Sequence, residues 1–276
     1  MTPNPLQKYF RQPKLFLSLP SKGLYYKEGA LEGDYTNVPI FAMTGMDEIL
    51  MKTPDALFNG EATVKVIESC CPYIKDAHAI PSLDVDSLLV AIRIATFGDA
   101  MTISHTCPNC AAENDFDIDL KIIIDSYSTL AFDNVVQIDD LNINLKPLNY
   151  QQLTDFNLEN FKMQRMLGQL SNADLTDEER TKHVDSIYEN LADLQVNLIV
   201  SSIDSIRTPE SLVSDKEFIL EWIRNITAEQ YGLIKTKLEL NKQAWSMPKQ
   251  TLKCDACSTE DTVEVTMDQS NFFVKT

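Results

Sequence analysis

Cys107-Pro108-Asn109-Cys110 and Cys254-Asp255-Ala256-Cys257 are the stretches that decide how this chain folds. Two Cys-x-x-Cys elements supply the four thiolates of a tetrahedral Zn²⁺ site, because the two-residue gap lets both sulfurs of a knuckle face one ion. A redox Cys-x-x-Cys opens a helix, whose dipole lowers a thiol pKa. Neither knuckle here is followed by a helical pattern: Glu113–Leu120 and Thr262–Met267 alternate apolar and polar, the mark of a strand. Each knuckle is therefore read as the tip of a β-hairpin, with Met101–His105 as the strand entering the first. Cys107, Cys110, Cys254 and Cys257 are the expected ligands of one structural zinc. His105 is the competing ligand, but the spacing already provides two sulfurs per knuckle. Four thiolates leave no open position for water, so a catalytic zinc is not expected.

Outward from the knuckles, the expected fold class is α+β. A small zinc-ribbon-like β core carries a helical N-terminal segment and a large helical insertion. The expected parts are an extended basic arm over 1–30, a helical segment over 31–100, the first knuckle and β-hairpins over 101–148, a helical insertion over 149–247, and the second knuckle with the tail over 248–276. The arm holds Lys8, Arg11, Lys14, Lys22 and Lys27 before any carboxylate, in a chain of net charge -17. Its prolines favour extended backbone, and Pro20 and Gly23 bracket a tight turn. The arm is either a strand on the protein's own sheet or a reach to a neighbouring subunit.

Thr44 with Asp47-Glu48 starts a short helix, Thr53-Pro54-Asp55 restarts it, and Gly60 ends it. A further helix covers Ala62–Cys70, where Cys70 and Cys71 read as core thiols. Asp84-Val85-Asp86 is expected to cap an apolar helix that Gly98 ends. Arg93 inside it reads as a half-exposed stem with its head in water, a buried ion pair being the alternative. Ile122-Ile123-Ile124 continues an apolar segment, and Val135–Leu145 is a hairpin turning at Asp139-Asp140. Two apolar stripes, Leu153/Phe156/Met163/Leu167/Leu170 and Val184/Ile187/Leu191/Leu194/Leu198, form an antiparallel helical hairpin across Ser171–Asp174. They span too few heptads for a free-standing coiled coil and are read as internal core. Capping boxes are expected at Thr176–Glu179, at Ser214–Glu217 and at Thr227–Gln230. The aromatic end Asn271-Phe272-Phe273-Val274 needs cover.

Composition excludes several classes. No apolar run approaches the ~18 residues that span a bilayer, and the N-terminus lacks the layout of a signal peptide. Paired thiols without an export signal indicate a reducing cytoplasm. No phosphate loop, dinucleotide fingerprint, nucleophile elbow or H-E-x-x-H is present, and His78, His105 and His183 have no sequence neighbour suggesting a triad. No catalytic and no organic-cofactor residues are assigned, and the protein is expected not to be an enzyme. A zinc-ribbon nucleic-acid binder would need cations at the knuckles. Glu113, Asp115, Asp117 and Asp119 surround the first and Asp255, Glu260, Asp261 and Glu264 the second, opposed only by Lys249 and Lys253.

Three stretches in order carry a resemblance: Leu19-Pro20-Ser21-Lys22-Gly23-Leu24-Tyr25-Tyr26; then Met43–Leu50 with Pro54-Asp55-Ala56-Leu57-Phe58-Asn59-Gly60; then Leu88–Gly98 running into Cys107-Pro108-Asn109-Cys110. Over residues 15–148 the chain resembles the baseplate hub family of T-even-type contractile-tailed bacteriophages, while the helical insertion carries no such likeness. The resemblance implies a non-enzymatic hub component acting through contacts with other hub and tail proteins. It equally covers an assembly factor that leaves before the virion matures. It implies a location in the host cytoplasm during assembly and in the tail baseplate afterwards, with no nucleic-acid or membrane partner and with homo-oligomerisation left open.

Overall fold

The computed structural model describes residues 4–53, 60–170, 176–263 and 272–273. The chain is α+β and divides into two units, Met1–Ala131 with Trp245–Thr276, and Phe132–Ala244. In chain order the first unit holds β1 (Pro13–Leu17), β2 (Val38–Phe41), α1 (Gly45–Met51), α2 (Glu61–Cys70), α3 (Ser82–Phe97), β3 (Ala100–Thr106), β4 (Glu113–Asp119) and α4 (Leu120–Ser128). The second holds β5 (Val135–Ile138), β6 (Leu141–Leu145), α5 (Tyr150–Leu170), α6 (Asp177–Ser202), β7 (Ile203–Arg207), β8 (Leu212–Val213), α7 (Lys216–Asn225) and α8 (Ala228–Ala244). β9 (Gln250–Lys253) and β10 (Glu260–Val263) return to the first.

The first unit is organised on α3. Leu83, Val85 and every residue from Leu88 to Arg93 are buried, so this helix is apolar nearly all round, as a core helix must be. β1 pairs antiparallel with β2, Leu17 opposite Val38 and Leu15 opposite Ile40. The strand part of the basic arm thus lies on the protein's own sheet. Arg11 fixes the segment before it, donating to the carbonyls of Ala42 and Ser69 and lying 3.6 Å from Asp47.

Two expectations change here. Asp84 does not cap α3; Pro81 stands at the N-cap position and the helix begins at Ser82. The Asp84 side chain points into the core and accepts from the Ser21 N–H (2.7 Å), the Ser21 hydroxyl (2.5 Å) and the Tyr26 hydroxyl (2.8 Å). The turn that holds these donors has positive φ at Lys22 and at Gly23, whose added Cβ would sit 3.0 Å from the Tyr35 ring. Arg93 is 1% exposed, not half-exposed. Its Nε donates to the Phe272 carbonyl at 2.8 Å, and its guanidinium lies over the Phe97 and Phe272 rings. Phe272 and Phe273 are buried, and Phe272 is covered by Arg93 of α3. Ile122–Ile124 lie in a helix: Asp119 accepts from the Lys121 N–H as N-cap, and the buried positions Leu120, Ile123 and Tyr127 follow the helical period.

In the second unit β5, β6, β7 and β8 form one antiparallel sheet in that order. The β5–β6 hairpin, grouped by sequence with the first knuckle, therefore belongs with the helical insertion. Ile143 pairs with Ile206 across β6 and β7, and the helical stretch contains two strands that its pattern did not announce. Ile138, Ile143 and Leu145 pack with Ile203, Ile206, Ile219, Ile223 and Ile234 in the unit's core. Thr176 and Glu179 form the expected capping box, as do Thr227 and Gln230. At α7 the cap is Asp215, not Ser214; it accepts from the N–H groups of Glu217 and Phe218. The helix restart at Pro54–Asn59, the break at Ser171–Asp174 and the strand residues Glu264–Met267 lie outside the described residues.

Asn241 closes the unit's entry. It donates to the Asp133 carbonyl (2.8 Å) and accepts from the Asp133 N–H (3.1 Å), and it is 7% exposed. Asn241→Ala strands both backbone groups. We expect about 2 kcal/mol lost in urea unfolding, with no change in metal content.

Candidate metal centre

The first knuckle is the tip of the β3–β4 hairpin, in register from Ala100 opposite Asp119 to Thr106 opposite Glu113. The second is the tip of β9–β10, where Lys253 faces Glu260. The two loops close identically. The Ala111 N–H donates to the Cys107 carbonyl and the Cys107 N–H to the Ala112 carbonyl; Ser258, Cys254 and Thr259 repeat the pattern, with all four bonds at 2.8–2.9 Å. Four residues after the first cysteine of each loop the backbone turns left-handed, at Ala111 (φ 57) and Ser258 (φ 59). Such φ values disfavour any residue but glycine. Ala111→Gly should stabilise the protein by roughly 0.5 kcal/mol, the strain relieved less the unfolded-state entropy added; a thermal melt measures it.

These hairpins bring four sulfurs together. Cys107 Sγ lies 3.7 Å from Cys257 Sγ, and Cys110 Sγ 3.7 Å from Cys254 Sγ. All four lie within 4.8 Å of one another, close enough to hold one metal ion. A tetrahedron of sulfurs with metal–sulfur bonds of about 2.3 Å has edges of roughly 3.8 Å, so the donor set fits such an ion. Cys107 and Cys254 are buried, Cys257 is half-buried and Cys110 is exposed.

Polar neighbours prepare the thiolates. The Thr259 hydroxyl, then its N–H, then Asn109 hold the Cys257 thiol down at about 5. The Cys257 N–H is the main cause lowering Cys254. At Cys110 the Ala112 N–H lowers the thiol, but the Cys257 sulfur, burial and the other two sulfurs outweigh it and push it up to about 12. The neighbours thus shift Cys257 and Cys254 toward the deprotonated form, the form in which sulfur binds metal.

Sequence reading missed this outer layer. Asn114, 8% exposed, donates to Cys254 Sγ (3.5 Å) and to the Ala112 carbonyl (3.0 Å), and accepts from the Asp255 N–H (3.1 Å). It ties the second knuckle to the first hairpin. A signal was present: on β4, Asn114 is in phase with Phe116 and Ile118, a polar residue on the inner face. His105 is not among the clustered donors. Its Nε2 lies 2.9 Å from Asp261 Oδ2, joining the two hairpins. The outer face of β4 is acidic, with Glu113, Asp115, Asp117 and Asp119 all exposed.

The profile of the T4 bacteriophage base plate protein family matches residues 35–274, from before β2 through both knuckles. The chain belongs to this family. The match includes the helical insertion and the second knuckle, where the sequence showed no likeness of its own. This T4-type baseplate protein is thus a component of a phage tail structure, and its membership implies contacts with other tail and baseplate proteins. No curated protein and no solved structure matches it. Among its described residues no helix is long and apolar enough to cross a membrane.

Proposed function

We propose that this protein is a non-enzymatic component of the baseplate hub, acting through protein–protein contacts during tail assembly, and that Cys107, Cys110, Cys254 and Cys257 hold one structural Zn²⁺. The observation that carries the reading is the four-sulfur cluster, in a chain of a baseplate family, joining positions 107 and 254. Bound zinc would fix this junction and supply folding energy; all-sulfur ligation favours zinc and leaves no position for a reacting water. Three features support a scaffold. His78 faces Glu61, His105 faces Asp261 and His183 is exposed on α6, three separate places. The knuckle surface carries carboxylates where a nucleic-acid binder carries cations. The chain is acidic, which opposes attraction to phosphates and to anionic membranes. The protein acts in the host cytoplasm during assembly and in the virion tail afterwards.

Mass spectrometry of purified mature particles tests the role, with zinc determined on the same sample. Peptides of this chain at stoichiometric level, with one zinc per copy, support the hub component. Their absence from mature particles, with presence on unfinished hubs, overturns it in favour of an assembly factor.

A further inference from the structure

The α5–α6 hairpin is long and thinly covered. No residue of α5 is buried over its 21 positions, and Met166 is 48% exposed. At about 1.5 Å per residue the helix runs roughly 31 Å, and packing against α6 leaves every one of its residues at least partly exposed. Near its base, a groove of about 230 Å³ opens between the helices, floored by Phe156, Leu194 and Leu198. Asp155 and Glu159 stand on its rim.

Charge is sorted along α5. On α5 both carboxylates, Asp155 and Glu159, precede the midpoint, and both cations, Lys162 and Arg165, follow it. α6 does not share this order: from Val184 to Ser202 it carries Asp185, Glu189 and Asp193 and no cation, and nearer the tip Asp177, Glu178 and Glu179 accompany Arg180 and Lys182. On α5, Asp155, Glu159, Lys162 and Met166 follow one another at four-, three- and four-residue steps and so share a face, the one that borders the groove.

We infer that this face binds a second copy of the same chain, antiparallel, to form a four-helix bundle. A two-fold axis through the middle of α5 places Glu159 of each copy opposite Lys162 of the other. It sets the apolar Met166 of each copy beside the acidic-rimmed groove of the other, with Arg165 next to Asp155. A parallel arrangement would oppose carboxylate to carboxylate, so the charge order selects the antiparallel one. A face two helices wide and about 31 Å long covers on the order of 600 Å² per copy, the lower range of a stable interface.

Sedimentation equilibrium of the full chain decides the matter. The expected mass is twice 31.2 kDa. Asp155→Arg and Arg165→Asp lie about 15 Å apart within one helix and do not meet inside a copy. Each alone should raise the dimer dissociation constant at least ~10-fold, because each acts twice across the axis. The double reversal should restore the dimer, with circular dichroism unchanged in all three variants. A wild-type monomer at about 100 µM, or an oligomer indifferent to both single reversals, overturns the inference; the first affinity is well within what such an area supports.

Discussion

Removing the metal should unfold the knuckle unit and leave the second unit standing. A structural tetrathiolate zinc contributes on the order of 10 kcal/mol at neutral pH, against a total stability of about 5–15 kcal/mol for a typical domain. Cys107 and Cys254 are separated by 146 intervening residues yet meet at one cluster. The described sulfur-to-chain bonds across the junction are few: Asn114 to Cys254 and Asn109 to Cys257, with the His105–Asp261 contact beside them. These do not replace an ion of that strength. The core of the second unit draws on Ile143, Ile206, Ile219, Ile223 and Ile234 and uses no knuckle residue. A chelator, or Cys107→Ser, should therefore abolish amide-exchange protection in β3, β4, β9 and β10, while α6 and α7 keep theirs. Readded zinc should restore the chelated wild type but not the variant. A preparation containing no metal, with those four strands still protected, would falsify the zinc assignment.

The pattern of residues announced the meeting of the four cysteines because its signal is local. Two cysteines at fixed spacing need only a turn between them, and the alternation of Glu113–Asp119 needs only a neighbour strand. The helical hairpin was legible for the same reason, its stripes repeating at three and four residues. What failed to show were partners chosen by tertiary distance. Arg93 lies in an apolar helix, where a charged head reads as turned to water or paired with a carboxylate; its acceptors are instead backbone carbonyls, that of Phe272 179 residues away and that of Ala100, which any residue type can offer. Ile203–Arg207 follows α6 without a break and joins β6 because Ile203 and Ile206 fall over the sheet's core. Asp84 resembled a cap because Asp commonly caps. Pro81 had already fixed the helix start three residues earlier.

Asp84 carries the second large effect. Its carboxylate is 0% exposed and gathers three donors from one turn, yet no described cation neutralises it. Burial raises its pKa to about 6 from the ordinary 3.8, against the lowering by Ser21 and Tyr26. Asp84→Ala would leave the Ser21 N–H, the Ser21 hydroxyl and the Tyr26 hydroxyl without their acceptor, at about 1–3 kcal/mol for each group that water cannot reach. We expect a loss of roughly 3–5 kcal/mol in urea unfolding at pH 7, when partial hydration and relaxation are allowed for. Asp84→Asn separates packing from charge, since it keeps one acceptor oxygen and loses the proton equilibrium. The sign follows from linkage. Between pH 3.8 and about 6 the folded state holds a proton that the unfolded state has released, so the contribution of Asp84 is greatest below pH 3.8 and is lost as pH rises through about 6. The stability of wild type minus that of Asp84→Asn should accordingly fall between pH 4 and pH 7, by about 3 kcal/mol at most. Asp86, which burial also raises to about 6, keeps part of the wild-type slope in the variant, so the difference between the two proteins is the quantity to measure. A difference that is flat across that range would mean that Asp84 titrates as it does in the unfolded chain, and that the turn bearing Ser21 and Tyr26 opens to water.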